Sequence, residues 1–354
     1  MNRSTDKKIV LVGTIPAPVG GISEHVWRLG ERLCELDCEI WDLQPDKVPK
    51  RATCCSVVEA PKYRISQCLW LIKQLVISRA TSIHFHFSQP NSLPILAIIL
   101  IVFGYKKQFF LTLHHGRLSC PKLVIPLFSW VICVFDRIVS LSTKQTAFYT
   151  DQLHINKARI IEGSSYIPLP SGELTGSMGL NKKQSFYGDN SGSFICVTSG
   201  YPKKIYRYEW AVSAVRRLNK TSSAQLHLCL YGEPDSDLYQ KELLAEADKY
   251  GVQVHWNLSS EEFKQLLSQA DLYLRPTSVD SYGLAVADAI TLGVPAIATD
   301  VCERHSGCFL VEKNDYKEFE AAVLSVYQKN TENLRVSSTK EQKWIAALYG
   351  SQGA

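Results

Sequence analysis

Residues 274–295 read LRPTSVDSYGLAVADAITLGVP and contain a strand-to-helix transition that decides the fold. The apolar run ends at Arg275, a polar loop turns at Gly283, and helical spacing follows as far as Leu292. Gly293 and Pro295 are typical helix-stop residues. Because a helix N-terminus offers free backbone N–H groups and a positive dipole end, the start of this helix predicts a diphosphate site.

Four residues of this segment are candidate ligand-binding residues: Asp280, Gly283, Leu284 and Asp288. The two aspartates are eight residues apart, which corresponds to about two helical turns. One carboxylate can therefore face the mouth of a cleft while the other lies deeper along the helix. The alternative is that Asp280 is a loop or capping carboxylate and that Asp288 is a solvated helix residue.

Short apolar strand candidates alternate with helical stretches along the whole chain, which is typical of parallel sheets covered by helices. The candidates are Ile9–Val12, Glu39–Leu43, Ser82–Phe87, Phe109–Leu113, Ile138–Leu141, Phe194–Thr198, Leu226–Tyr231, Val252–Trp256, Leu272–Leu274 and Ala296–Thr299. Doubly wound domains bind ligands at the carboxyl ends of their strands. We therefore expect an α/β protein of two such domains with a ligand cleft between them.

The domain boundary is predicted from composition. Residues 171–193 are rich in Gly, Ser, Asn and Lys and have little apolar periodicity, which is typical of a linker. This divides the chain into an N-terminal Rossmann-like domain (1–170) and a C-terminal one (194–335). Residues 336–354 are expected to form a closing helix, because Trp344, Ile345 and Leu348 give it an apolar face.

Composition narrows the class of protein. The chain has 354 residues, of which 45% are apolar and 21% charged, so two ordinary cores are expected and a disordered or fibrous protein is excluded. Its 11 cysteines contain no C-x-x-C pair and predict neither a disulfide framework nor a closed zinc site. The polar start runs into a strand-length apolar segment and predicts no export signal, so a cytoplasmic location is expected.

Charge is distributed unevenly between the halves. Residues 1–170 carry 20 Lys and Arg against 12 Asp and Glu, whereas residues 171–354 carry 19 against 22. The basic half contains two apolar runs, Leu93–Phe103 and Leu123–Phe135, that are too short to span a bilayer. We interpret both as buried core helices; the alternative is helices on an anionic membrane surface. The flanking basic residues that suit the alternative are Lys106, Lys107, Arg117 and Lys122.

Glycines and histidines follow the strands of the first half. Gly20 and Gly21 after the first strand allow close approach of a phosphate, or simply make the turn. His84 and His86 lie two residues apart on one strand and therefore share a face, which is an arrangement that two metal ligands can have. Because the sequence shows no third ligand, we predict no bound metal and interpret this pair as strand-end residues lining an acceptor cleft. His114 and His115 follow the strand Phe109–Leu113.

The segment 274–295 resembles the E-x7-E region of retaining glycosyltransferases of family 4, with Asp in place of Glu at both ends. The similarity covers nearly the whole chain and includes the Gly20-Gly21 loop, the histidines at strand ends, Asp136–Ser140, Leu230–Glu233, Ala270-Asp271 and Gly293–Asp300. It implies a GT-B fold, in which two Rossmann-like doubly wound domains face each other across a cleft. It also implies a donor held mainly by the C-terminal domain and an acceptor held mainly by the N-terminal one.

The resemblance also implies roles for individual residues. Asp280 falls where the family contacts the donor sugar, Asp288 where it binds the ribose, and His114 close to the reacting sugar. Each Asp is shorter than Glu by about 1.5 Å. The family places an Arg and a Lys after the first strand of the second domain to neutralise the diphosphate, but Tyr201 stands at the Arg position. The remaining candidates are Lys203, Lys204 and, as first choice, Arg207; the alternative is a basic surface loop.

The resulting prediction is a retaining glycosyltransferase of cell-surface polysaccharide or lipopolysaccharide biosynthesis. Its partners would be a UDP- or GDP-type nucleotide sugar and a glycan or polyprenol-linked acceptor. The protein would also make peripheral contact with an anionic membrane. Neither a cofactor, a metal nor nucleic acid is expected. The alternatives are a nucleotide-sugar epimerase of the same architecture and a non-catalytic GT-B partner subunit. Double displacement and front-face attack both remain open.

Overall fold

The computed structural model describes residues 8–17, 19–44, 50–88, 90–114, 120–168, 192–233, 237–338 and 344–349. The chain divides into two compact units: residues 1–170 with 341–354 form unit 1, and residues 171–340 form unit 2. Most of the expected linker, together with His115 and Arg117, lies outside the described residues.

Unit 1 is built on a seven-stranded parallel sheet with the order β3-β2-β1-β4-β5-β6-β7. Its strands are β1 (Ile9–Gly13), β2 (Cys38–Asp42), β3 (Ser56–Glu59), β4 (Ser82–Phe87), β5 (Gln108–Leu113), β6 (Arg137–Ser140) and β7 (Ile160–Glu162). The helices are α1 (Gly21–Arg32), α2 (Arg64–Ile77), α3 (Leu93–Phe103), α4 (Ile125–Ile132) and α5 (Thr143–Ala147). Order reverses between β1 and β4, which is therefore the topological switch point of this sheet.

Helices cover both faces of the first sheet. The central strand β1 is buried along its whole length, as expected for a parallel strand packed on both sides. One face packs against Val26 and Leu29 of α1 and against Leu33, which directly follows this helix. The last helix of the chain belongs to this same core: Trp344 is buried, and Ile345 and Leu348 pack beside it. This helix, Trp344–Tyr349, is numbered α11 in chain order.

Unit 2 repeats the architecture with the order β10-β9-β8-β11-β12-β13-β14, parallel except for the pair β13 and β14. Its strands are β8 (Phe194–Gly200), β9 (Ala224–Leu230), β10 (Gln253–Trp256), β11 (Leu272–Arg275), β12 (Ala296–Thr299), β13 (Phe309–Val311) and β14 (Arg335–Val336). Its helices are α6 (Tyr208–Leu218), α7 (Leu238–Lys249), α8 (Ser260–Ser268), α9 (Leu284–Thr291) and α10 (Tyr316–Tyr327). The switch point lies between β8 and β11.

The apolar runs Leu93–Phe103 and Leu123–Phe135 are only partly buried, so their interpretation as buried core helices is wrong for one face of each. Helix α3 buries Leu93, Leu96, Ala97, Ile99 and Leu100. Its other face exposes Ile95, Ile98, Ile101 and Val102. The second run exposes Leu123, Leu127 and Trp130. In the described part of the chain, no helix combines the length and the apolar character that crossing a bilayer requires.

Cysteines depart from the expectation in one place. Cys34, just after α1, forms a disulfide with Cys54, just before β3, with 5.8 Å between the Cα atoms. The other nine cysteines are free thiols, and five of them are buried. This single disulfide does not amount to a disulfide framework, but the composition did not predict it.

Candidate functional site

The switch point of unit 2 is built around the end of β11. Arg275 is the last residue of that strand, and its Nη1 donates a hydrogen bond of 2.7 Å to the carbonyl oxygen of Ser199 on β8. The guanidinium also lies 4.9 Å from the centre of the Tyr206 ring. A strand that reads Leu-Tyr-Leu-Arg therefore places its one charged residue at the carboxyl edge of the sheet.

Asp280 is held by two arginines. Its Oδ2 accepts hydrogen bonds from Arg275 Nε at 2.8 Å and from Arg304 Nη1 at 2.7 Å. Arg304 is completely buried and also donates to the carbonyl oxygens of Tyr282 and Thr299. Burial opposes ionisation of Asp280, but the two guanidinium groups outweigh it and hold the pKa of this carboxyl well below its usual range.

The glycine that begins the following helix is required by this arrangement. Gly283 is the N-cap of α9 and has φ of +81°, a left-handed conformation that side chains disfavour. A Cβ added there would lie 2.6 Å from Arg304 Nη1 and 3.2 Å from Asp280 Oδ2. The turn therefore brings the start of α9 into direct contact with the cluster of Arg275, Asp280 and Arg304, which we call the arginine cluster.

The arginine cluster carries more positive than negative charge. Two guanidinium groups share the carboxylate of Asp280, so one positive charge is left over in a nearly buried position. The first backbone N–H groups of α9 lie beside it, and they add the positive end of the helix dipole. Such an arrangement is suited to binding an anion of the diphosphate class.

Asp288 and Leu284 lie on α9 itself. Asp288 is buried, with 4% of its surface exposed, so the alternative of a solvated helix residue is wrong. Leu284 is the first residue of the helix and is partly exposed. The structure therefore brings Asp280, Gly283 and Leu284 together at the helix start and places Asp288 one to two turns along it.

The cations expected after β8 are arranged differently from the arginine cluster. Arg207 is the N-cap of α6, and its guanidinium donates to the carbonyl oxygen of Lys313 and, at 2.8 Å, to Asn314 Oδ1. Lys203 and Lys204 are exposed. The structure thus brings Arg275 and Arg304, which the sequence did not single out as cations, to the helix start that was predicted to bind diphosphate.

The switch point of unit 1 contains histidines. His86 lies near the end of β4, His114 follows β5, and His25 projects from α1. His86 Nδ1 and His114 Nε2 are 3.2 Å apart, and the His25 ring centre lies 4.6 Å from that of His114. One ring nitrogen from each residue lies within 4.8 Å of the other two. We call this group the histidine triad; its member His25 was not among the sequence candidates.

His84 does not join the histidine triad, although it shares a face with His86 as the sequence predicts. Its Nε2 lies 2.7 Å from the hydroxyl of Thr112, and its Nδ1 pairs with the hydroxyl of Tyr349 on α11. Both nitrogens are thereby satisfied by hydroxyl groups. In the structure, His86 therefore groups with His25 and His114 and not with His84.

All of these imidazoles are neutral at pH 7. Burial lowers the pKa of His25 to about 4, and the hydrogen bond to the Ser165 carbonyl only partly offsets this. Burial likewise lowers the pKa of His84, His86 and His114 well below the usual value. Neutral imidazoles offer nitrogen lone pairs, so the triad presents ligand atoms and no charge.

Gly20 and Gly21 lie at the start of α1, the helix that contains His25 of the histidine triad. Gly20 is the N-cap in extended conformation, and its carbonyl accepts hydrogen bonds from Ser23 Oγ and the Glu24 N–H. A Cβ added at Gly21 would meet no atom within 4 Å. Neither glycine is required by the fold in the way that Gly283 is.

Comparison with known proteins identifies a domain in the second half. Residues 192–329 match the family model described as "Glycosyl transferases group 1". A curated relative is the UDP-N-acetylglucosamine–peptide N-acetylglucosaminyltransferase GtfA subunit of Streptococcus pneumoniae, which is 26% identical over 153 residues. This match covers 39% of the chain and 29% of the length of that relative.

Solved structures resemble the whole chain. Sucrose-phosphate synthase from Thermosynechococcus elongatus has a TM-score of 0.64 at 14% identity, covering 98% of this chain and 93% of that one. Anabaena HepE in complex with UDP-glucose has a TM-score of 0.66 at 11% identity, covering 91% and 90%. The trehalose-phosphate synthase of Burkholderia xenovorans, in complex with glucose-6-phosphate, has a TM-score of 0.66 at 13% identity, covering 90% and 92%. The GT-B fold predicted from the sequence is confirmed, and residues 192–329 match a group 1 glycosyltransferase domain.

Proposed function

We propose that this protein is a glycosyltransferase of the retaining family 4 type, which moves a sugar from a nucleoside-diphosphate sugar to a glycan or lipid-linked glycan in cell-surface polysaccharide biosynthesis. The observation that carries the proposal is the surplus positive charge of the arginine cluster at the N-terminus of α9. A UDP-type donor is favoured because HepE was solved with UDP-glucose and the GtfA relative is named for UDP-N-acetylglucosamine.

In this proposal the arginine cluster stabilises the leaving group. When the bond between the anomeric carbon and the phosphate oxygen breaks, its electron pair passes to the diphosphate. The acceptor hydroxyl oxygen forms the new bond to the anomeric carbon, and its proton passes to the departing diphosphate or to solvent. Preorganised cations act most strongly where charge develops in the transition state. Arg275 lies at the edge of the sheet, and Asp280 fixes its direction. Asp280 is thereby a positioning residue, because its Oδ2 is committed to two guanidinium groups.

A panel of radiolabelled nucleotide sugars tests the transferase proposal. Each donor is incubated with and without lipid-linked glycan acceptors, and products are separated from the donor. Transfer of label to an acceptor supports the proposal. Conversion of the donor to another nucleotide sugar without acceptor indicates an epimerase, and donors that neither bind nor react indicate a non-catalytic subunit.

Calorimetry with UDP tests the two aspartates. Asp288→Ala is expected to weaken UDP binding more than Asp280→Asn, because Asp288 is assigned to the ribose and Asp280 to the positioning of Arg275. Asn keeps the size of Asp280 and avoids removing the partner of two buried cations altogether. Equal losses, or none at Asp288, would remove the ribose assignment.

The lipid-linked acceptor is supported by an apolar surface on unit 1. Helices α2, α3 and α4 lie side by side, and each exposes an apolar stripe. We call this surface, formed by Ile65, Leu69, Val76, Ile95, Ile98, Val102, Leu123, Leu127 and Trp130, the apolar face. Leu123 is 95% exposed. Contiguous apolar surface of this extent marks an interaction site in a folded protein.

Charge around the apolar face favours an anionic membrane as its occupant. The sequences of α2, α3 and α4 contain no acidic residue, while α2 carries Arg64 and Lys73. Lys106 and Lys122 are exposed near the ends of α3 and α4. Lys107 is not available to a membrane, because its Nζ donates to the carbonyl oxygens of Ser78 and Ala80 at 2.7 and 3.0 Å. Each basic residue at such a surface contributes on the order of 1 kcal/mol.

Co-sedimentation with phosphatidylserine-containing vesicles tests this part of the proposal. Wild type is expected to sediment at low salt and to be released by high salt, and Ile95→Ser/Ile98→Ser/Val102→Ser is expected to remain in solution. Leu238→Ser, a change of an equally exposed leucine in unit 2, serves as the control and should sediment like wild type. Wild type that never sediments, or that forms a dimer dependent on these three residues, would contradict the membrane assignment.

A further inference from the structure

The histidine triad has the geometry of a metal-binding site. Its ligand nitrogens come from α1 and from the carboxyl ends of two neighbouring strands, so they converge on one point at the switch of the sheet. In a tetrahedral zinc site the nitrogens lie about 2.0–2.1 Å from the metal and therefore about 3.3 Å from one another. The separation of 3.2 Å between His86 Nδ1 and His114 Nε2 matches this value.

The tautomer of His25 is fixed by its surroundings. Its Nδ1 lies 2.8 Å from the carbonyl oxygen of Ser165, and a carbonyl can only accept, so the proton is on Nδ1. The lone pair is then on Nε2, which is buried and has no hydrogen-bond partner among the described residues. A backbone carbonyl that orients the far nitrogen of a histidine is the usual support of a metal ligand.

His86 also has a buried nitrogen without a partner in the described part of the chain, its Nε2, but the nitrogen that it directs at His114 is Nδ1. Buried polar groups normally have a partner, so the unpaired Nε2 of His25, whose proton is on the other ring nitrogen, calls for a ligand. Both side chains are at least 98% buried. His84 beside them has both nitrogens occupied by hydroxyl groups and so shows what the satisfied state of a buried imidazole looks like here.

We infer that His25, His86 and His114 bind a divalent transition-metal ion of the Zn²⁺, Co²⁺ or Ni²⁺ class. Three neutral imidazoles suit these ions, whereas Mg²⁺ and Ca²⁺ prefer oxygen ligands. Three protein ligands leave a fourth position for a water or a hydroxyl oxygen. The inference rests on unit 1 alone and is independent of the proposed transferase chemistry of unit 2.

Cobalt spectroscopy on untagged, full-length protein tests the site. Addition of one equivalent of Co²⁺ is expected to produce the intense visible d–d absorption of a four-coordinate ion without the near-ultraviolet charge-transfer bands of thiolate ligands. This distinguishes the triad from the free cysteines. Thiolate bands, or a spectrum identical to that of hydrated Co²⁺, would overturn the inference even if no variant could be purified.

Competition calorimetry with Zn²⁺ assigns the ligands. His25→Gln, His86→Gln and His114→Gln are each expected to lower Zn²⁺ affinity by at least tenfold, because each removes one of three ligands. The control is His255→Gln, in the imidazole pair of His227 and His255 on unit 2, whose nearest nitrogens are 2.9 Å apart. That variant should bind Zn²⁺ like wild type. Unchanged affinity in the His86→Gln variant, shown to be folded by circular dichroism, would refute the site.

Discussion

In unit 1 the strands beside the switch point lead into histidines, whereas in unit 2 they lead into buried arginines. Both sites lie at the same place in two similar sheets, yet the histidine triad is neutral and the arginine cluster is charged. Burial acts on both, but imidazoles can avoid the cost of a buried charge by losing a proton. Guanidinium groups cannot, so Arg275 and Arg304 require Asp280.

The two sites are therefore suited to different ligands. A site of neutral lone pairs attracts metal ions or hydroxyl donors, and a site with a surplus of guanidinium charge attracts anions. The same switch-point geometry thus suits metal ions or hydroxyl donors in one unit and anions in the other. Substitutions at one residue of each kind test this contrast.

The largest effect is expected at Arg275. Arg275→Gln should lower kcat/KM by about 10²–10³-fold, because it removes a preorganised cation from the developing diphosphate charge. Arg207→Gln is the matched control, since the Arg207 guanidinium is bonded to Lys313 and Asn314 and should contribute little. Steady-state kinetics with the identified donor gives the answer. A larger loss at Arg207 than at Arg275 would restore the assignment made from the sequence.

The next effect is expected from the glycines that begin the two helices. Gly283→Ala should destabilise unit 2 by about 1–3 kcal/mol, because the new Cβ meets Arg304 in a left-handed backbone conformation. Gly21→Ala should leave stability nearly unchanged, because its Cβ enters open space. Urea denaturation measures both. A Gly21→Ala protein that is stable but binds donor poorly would support the phosphate role expected of Gly20 and Gly21.

Acid should lower the folding stability through the buried imidazoles but not through the arginine cluster. Burial lowers the pKa of His227 on unit 2 to about 4, so below its ordinary value of 6.5 the unfolded chain takes up a proton that the folded one does not. Stability is therefore fully present above pH 6.5 and falls as the pH decreases, by about 1.4 kcal/mol at about pH 5.5 for this residue. Asp280, with its lowered pKa, stays ionised over this range.

Thermal unfolding at about pH 7 and pH 5.5 measures this loss, and His227→Gln should show a smaller decrease than wild type by the same amount. A variant with an undiminished acid sensitivity would show that His227 is not the group that titrates.

The smallest effect is expected from chelation. Transferase activity should be unchanged in excess EDTA, because the diphosphate is assigned to guanidinium groups and a helix N-terminus. Complete loss of activity that added metal reverses would contradict the role of the arginine cluster. A metal ion released from the histidine triad by the same treatment is measured separately, by its Co²⁺ or Zn²⁺ content.

The sequence predicted most of the buried strands, but it missed β7 (Ile160–Glu162) and β13 (Phe309–Val311). Ser82–Phe87 and Ala296–Thr299 have the bounds expected from their apolar runs. The edge strand Ser56–Glu59 was missed because most of its residues are exposed and give no apolar run. Arg335–Val336 was missed for the same reason. Edge strands are held by backbone pairing, which leaves little trace in side-chain pattern.

The candidate sites were predictable only where one segment contains them. The turn from Asp280 to Gly283 and the buried helix after it lie within a few residues and were identified as one feature. Arg304 lies 24 residues from Asp280, and His25 lies 61 residues from His86, so pairing them requires the sheet topology. Arg275 did offer a signal, since a charged residue ending an apolar strand of a parallel sheet faces the ligand edge.

The helix α11 has a consequence for how the chain is made. Trp344 closes the core of unit 1 and lies against His25, while Tyr349 bonds to His84, yet both are synthesised after the whole of unit 2. The ribosome therefore completes the synthesis of unit 2, which is one continuous stretch of sequence, before it has made the last residues of unit 1. Unit 1 must wait with part of its apolar core open to solvent, and a chain interrupted after residue 340 would contain a complete unit 2 and an incomplete unit 1.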